Sequence, residues 1–319
     1  MAYLAKTALL SNLIDYAGTF PPAALPLQEA LVQACQFRKK AQHPWLLAKM
    51  VVTIADLKKL SSRTWFDAGS DGTPIPLTVI GSSVEKPEDL VRHLGFEMRE
   101  VRRFNEKFSD GPLRQWVVSY ETRLPEQVPS LPALIHEALE VALQGQSLGA
   151  GIFFEVPLGE GWQKRLSETA RGLAEWAEGH PDCLGPVGIK IRTGGKIPPS
   201  AEQLAEIIEV CVVHQLRFKA TQGLHHAVSR KGDFGFVNVF GAFAFQQALG
   251  VEAFSRTLVS QCLEETDPSA FVFTPDAFSW KGHRLEIPQI EGVRRMNAGT
   301  FGSCSLDEPD VFLAEEIGV

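Results

Sequence analysis

A (β/α)8 barrel is the fold this sequence predicts, and three observations carry the prediction. Short runs rich in Val, Ile and Phe alternate with stretches of helical spacing along the whole chain of 319 residues. No glycine-rich dinucleotide fingerprint follows the first of these runs, which disfavours an open doubly wound sheet. No Pro/Gly/Ser linker divides the chain, so residues 1–319 read as a single barrel domain.

The elements follow in order. "MAYLAKTALLSN" opens the chain as a helical extension, and "LIDYAG" is the first strand, leading to the helical "LPLQEALVQACQFRKK". "LLAKMVVTI" precedes "ADLKKL", and "SSRTWFDAGSDGTP" reads as a loop before "IPLTVIGS" and its long helix "KPEDLVRHLGFEMREVRRFNEKF". Then "RQWVVSYE" leads to "LPALIHEALEVALQG", "GIFFEVP" to "EGWQKRLSETARGLAEWAEG", and "VGIKIRTGG" to "SAEQLAEIIEVCVVHQ". "RFKATQG" leads to an apolar helix after Asp233. The eighth barrel strand lies at 270–275 or at 299–305, with "DAFSWKGHRLEI" between them as a small hairpin insertion turning at Lys281-Gly282.

Composition excludes several function classes. The net charge of −7, from 31 basic and 38 acidic residues, lacks the basic excess that follows a phosphate backbone, so no nucleic-acid partner is expected. No membrane is expected either, because the apolar run "FGFVNVFGAFAFQQALG" is interrupted by Asn238, Gln246 and Gln247 and reads as a buried helix. The N-terminal stretch has no cleavage site of the secretory kind. Cys35, Cys183, Cys211, Cys262 and Cys304 lie far apart without zinc-like spacing, which fits reduced thiols in a cytoplasm. The expected partner is a small molecule, with a homo-oligomer left open.

Alternation within the strands separates two faces. Phe218 and Ala220 oppose Lys219 and Thr221, Ile189 and Ile191 oppose Lys190 and Arg192, Phe154 opposes Glu155, Tyr120 opposes Glu121, and Ile14 and Tyr16 oppose Asp15. Helices seal the outside of such a barrel, so the charged set points inward, near the strand ends where barrel active sites are built. Desolvating an isolated charge costs several kcal/mol, so these side chains must pair, meet water or bind a ligand. One alternative is a structural ion network formed by Asp15, Glu121, Glu155, Lys190, Arg192 and Lys219.

Two lysines in one partly dry pocket favour each other's neutral form, and a neutral amine attacks carbonyls to give a Schiff base. Lys219 and Lys190 are therefore candidate nucleophiles, with Glu155 and Asp15 as proton carriers. Arg192 offers a fork for an anion, Gly194 and Gly195 let loop amides approach it, and Glu121, Thr221 and Ser303 are further substrate contacts. His225 serves proton transfer or substrate orientation, and His226 substrate contact. No cofactor is expected. The alternative is a metal-dependent lyase, isomerase or hydrolase in which His225, His226, Glu155 and Glu121 hold a divalent ion; a further alternative is a non-catalytic ligand-binding barrel.

The segments "FKATQG", "GIKIRTGG", "LIDYAGTFPP" and "GTFGSCS" together resemble class I, Schiff-base aldolases of the deoxyribose-phosphate aldolase type. The resemblance implies a barrel lyase with lysines on two successive late strands, an aspartate on an early strand and a phosphate site at the last strands. Strand order makes Lys190 the nucleophile, whereas the local motif makes it Lys219. The His225-His226 pair, the hairpin and the long loop before "IPLTVIGS" depart from that family's pattern.

Overall fold

The computed structural model describes residues 4–108, 116–144, 149–181 and 185–318. Its strands are β1 (Ile14–Tyr16), β2 (Leu47–Thr53), β3 (Leu77–Ile80), β4 (Val117–Arg123), β5 (Gly151–Glu155), β6 (Val187–Arg192), β7 (Arg217–Thr221), β8 (Phe271–Phe273), β9 (Ala277–Trp280), β10 (His283–Glu286) and β11 (Ala298–Ser303). Eight of them form a closed barrel in the order β1-β11-β7-β6-β5-β4-β3-β2, with helices alternating between them along the chain. The expected (β/α)8 architecture is present, and the helical extension is the helix Leu4–Leu10.

The eighth barrel strand is β11, at the second of the two expected places. The first, around β8, pairs antiparallel with β9, which pairs with β10, so the insertion is a three-stranded sheet rather than a bare hairpin. Burial separates the two. A barrel strand is covered on both faces, as β11 is over Ala298–Phe301, whereas β8 buries Phe271 and Phe273 and exposes Val272.

The chain packs as two compact units, one of Met1–Tyr16, Phe37–Ala48 and Arg192–Val319, the other of Ala17–Gln36 and Lys49–Ile191. The core of the first unit is the helix Phe236–Leu249, buried on nearly every side. Phe218 and Phe301 stack on it through Phe243 and Phe236, with ring centroids 5.6 Å apart in both pairs, while Phe278 of the small sheet stacks on Phe245 at 5.1 Å. A helix covered from two directions is apolar all round, which accounts for the long apolar run. Among the described residues no helix is long and apolar enough to cross a membrane. The helix Arg256–Leu263, which packs against this helix and against Ala201–Val213, has no counterpart in the sequence reading.

In the second unit the helices Pro87–Phe108, Leu131–Leu143 and Trp162–Gly179 pack in succession. The segment read as a loop before β3 contains a helix, Ser62–Asp67. Ser61 and Thr64 form a capping box at its start, satisfying donors that a polar stretch otherwise leaves to water. Tyr120 points outward from β4 and donates to Glu97 at 2.5 Å, and Glu97 also accepts from the Ser82 hydroxyl at 2.5 Å. This buried group anchors the loop after β3 to its helix.

Candidate active site

Packing fixes the direction of Lys219. Phe218 is committed to the helix Phe236–Leu249, so the next residue of β7 must face inward, as the alternation predicts. Lys219 is 1% exposed and Asp15 is fully buried. Their side chains are hydrogen-bonded through Lys219 Nζ and Asp15 Oδ2. The same carboxylate oxygen accepts the Thr300 hydroxyl at 2.8 Å.

Thr300 reaches that position through a β-bulge. Ala298 pairs with Phe218 and Phe301 with Ala220, so three steps along β11 match two along β7. The extra residue keeps Phe301 outward while turning Thr300 inward. Gly299 makes the bulge possible: a Cβ there would lie 2.3 Å from the Phe218 carbonyl oxygen. Sequence reading passes over Thr300 because it does not divide the faces of this segment. Alternation counted from Phe301 does turn Thr300 inward, whereas counted from Ala298 across the slip it does not, and a glycine inside a strand is the signal of such a bulge.

Arg294, on the helix Ile287–Met296, was also passed over. Its guanidinium donates to the carbonyl oxygens of Ser11 at 2.9 Å, Asn12 at 3.0 Å, Ala298 at 3.2 Å and Gly299 at 2.5 Å. Burial, reinforced by the neighbouring Arg217 and opposed by Asp15, pulls its pKa down to about 10, so it remains a cation at neutral pH.

The second unit holds its own charged cluster. Lys190 Nζ lies 2.6 Å from Glu121 and 3.1 Å from Glu155, all three side chains being buried. Thr78 and Ser119 share a hydrogen bond of 2.6 Å on the neighbouring strands β3 and β4. A cleft of about 570 Å³ opens in the same unit between the loops after β4 and β5, lined by Glu126, Glu160, Lys164, Arg165 and Glu168 among others. Arg165 donates to the carbonyls of Pro157 at 2.8 Å, Glu160 at 3.1 Å and Glu126 at 3.3 Å, which makes it a clamp between those loops.

The remaining predicted residues lie at strand ends and in the loops that follow them. Gly194 packs on Gly223, where a Cβ would lie 2.8 Å from the facing backbone, and Thr193 donates to the Thr221 carbonyl. Gly194 and Gly195 thus serve close approach of two turns, with Gln222 and Gly223 both at positive φ. Thr221 packs its hydroxyl against Gly302, and Arg192 is exposed at the end of β6. The Ser303 hydroxyl donates to the Ser305 carbonyl at 2.6 Å and closes a turn.

Both histidines turn toward the C-terminal helix Asp307–Ile317. His225 meets Glu308 at 2.7 Å, and His226 meets Glu316 at 3.0 Å with its ring 4.0 Å from that of Phe312. His226 therefore packs onto that helix. Among the described residues no three His, Cys, Asp or Glu side chains gather in a metal-holding arrangement, so the metal alternative through His225, His226, Glu121 and Glu155 has no cluster behind it. Cys35, Cys211, Cys262 and Cys304 are not in disulfides, and Cys183 lies outside the described residues.

No known family model matches this chain, and no curated protein sequence is similar to it.

Proposed function

We propose that this barrel is a lyase that forms a Schiff base between Lys219 and a small carbonyl compound bearing a carboxylate. The observation that carries the reading is the Lys219–Asp15 hydrogen bond: an amine on a barrel strand with a fully buried proton acceptor in direct contact. Desolvation disfavours both charges, so proton transfer along this bond to give amine and carboxylic acid costs less than it would in water. The free amine then attacks the carbonyl carbon. A C–N bond forms as the amine's proton passes to the carbonyl oxygen to give a carbinolamine, and the proton on Asp15 then passes to that hydroxyl, which leaves as water to give the iminium. The bond between the α and β carbons then breaks: its electrons form an enamine with the iminium, and the β-hydroxyl gives its proton to His225 as the β-carbon leaves as a carbonyl fragment. That proton returns to the enamine α-carbon before water releases the product from Lys219.

Arg192, exposed at a strand end, is assigned to the substrate's carboxylate. A carboxylate suits this site better than a phosphate, because the helix after β11 begins with Asp307, Glu308 and Asp310, which repel a dianion at that helix start. His225, oriented by Glu308 through Nδ1, is assigned to proton exchange with the leaving group through its other nitrogen.

A second reading places the nucleophile at Lys190, with Glu121 and Glu155 as its proton acceptors, and the short contacts of that cluster favour it. Borohydride reduction in the presence of aldehydes and 2-oxo acids, read by intact mass, tests both. The Lys219 reading expects a reduction-dependent adduct that survives Lys190→Met and disappears in Lys219→Met. The reverse pattern selects Lys190. No adduct across the panel leaves both clusters as structural ion networks.

A further inference from the structure

We propose that Arg294 is a positioning residue for the Lys219–Asp15 pair: it fixes the backbone from which Asp15 and Thr300 project, and it supplies positive charge that sets the protonation of the pair. The proposal takes its catalytic meaning from the Schiff-base reading, but its physical content stands apart from it.

The placement is specific. Ser11 and Asn12, whose carbonyls Arg294 binds, lead directly into β1 and so into Asp15. Ala298 and Gly299, whose carbonyls it also binds, lie on β11 immediately before Thr300. One planar group therefore ties together the two chain segments that deliver the carboxylate and the hydroxyl donating to it. A flexible ammonium has three donors and no fixed fork, and does not reproduce that span.

The charge follows from the same bonds. Four carbonyl oxygens solvate the cation without cancelling it, so its field acts on its surroundings. Asp15 on β1 attracts Arg294, while Arg217 on β7 repels it. A positive charge near a proton-binding pair makes it release its proton at lower pH, and removing that charge raises the pH of release.

The test reads Lys219 itself. In protein carrying nitrogen-15 lysine, the Nζ signal lost in Lys219→Met is that of Lys219, and its pH titration is recorded in the parent and in Arg294→Met and Arg294→Lys. The expected result is an upward shift of the Lys219 midpoint by about one pH unit in Arg294→Met and little shift in Arg294→Lys, which keeps the charge. In Arg294→Lys the rate of borohydride trapping is expected to fall about tenfold at an unchanged midpoint, because the span is lost. An unmoved midpoint in folded Arg294→Met overturns the electrostatic role. Should Arg294→Met fail to fold, full trapping by Arg294→Lys overturns the positioning role. If the parent itself is not trapped, the Schiff-base reading fails, and the titration still decides whether Arg294 controls the pair.

Discussion

Replacing Asp15 by Asn removes one charge from a pair that the fold has taken out of water, and the structure sets the size of the effect. Lys219 is 1% exposed and Asp15 0%, so neither gains much from solvent when its partner is lost. Charges about 4 Å apart attract by about 4 kcal/mol at the effective dielectric of a protein, roughly what their desolvation costs. Asp15→Asn keeps the shape and forfeits the attraction while the ammonium stays buried, so the loss should be about 3–5 kcal/mol. Lys219→Met should cost a similar amount. The double variant Asp15→Asn with Lys219→Met removes both charges and should fall well short of the sum, with a coupling of at least about 1 kcal/mol. Urea denaturation at neutral pH, followed by circular dichroism, measures all three. A loss below about 1 kcal/mol for Asp15→Asn would mean that water reaches the pair, and the argument for a desolvated amine would fail with it.

Three further outcomes follow from the geometry. Gly299→Ala drives a methyl group against the Phe218 carbonyl, so it should cost at least about 1–3 kcal/mol and reduce Schiff-base trapping as Thr300 is displaced, measured by melting temperature and trapped fraction. Tyr120→Phe removes the charge-assisted bond to buried Glu97 and should cost about 1.5–3 kcal/mol in urea denaturation. Burial first, then Asp307 and Cys304, push the Tyr16 phenol up to about 12, and burial followed by Glu97 raises Tyr120 well above its ordinary value. Raised phenols favour the folded state while protonated, so that stabilisation is complete below about pH 10 and is lost as pH climbs toward about 12. Tyrosinate absorbance against pH, native and in urea, checks this: tyrosines titrating alike in both would contradict it.

The sequence made the barrel legible because both of its signals are local. Strand–helix alternation needs only neighbouring residues, and so does the inward direction of Lys219, which follows from Phe218 and Ala220 on either side. Partners were legible only as a set. Alternation puts Asp15, Glu121, Glu155, Lys190 and Lys219 on the inward face, but not which carboxylate meets which lysine, and the glutamates facing His225 and His226, 83 and 90 residues away, were not legible at all. Nothing local distinguishes a histidine that anchors a helix from one that meets a substrate. Thr300 escaped because the place of the eighth strand is open in the sequence between 270–275 and 299–305, which leaves its faces undivided. Arg294 sits in the last turn of a helix, where basic residues ordinarily complement the helix dipole in solvent, and only the tertiary fold shows it buried among carbonyls.

The central claim is that Lys219 is a reactive amine rather than one end of a structural ion pair. Its most direct test is peptide mapping by mass spectrometry after the protein is reduced with borohydride in the presence of 2-oxo acids. The account predicts a reduction-dependent adduct on the peptide carrying Lys219, with yield that drops when Asp15 is replaced by Asn in protein that remains folded. Adducts found only on exposed lysines, at equal yield in Lys219→Met, would contradict it.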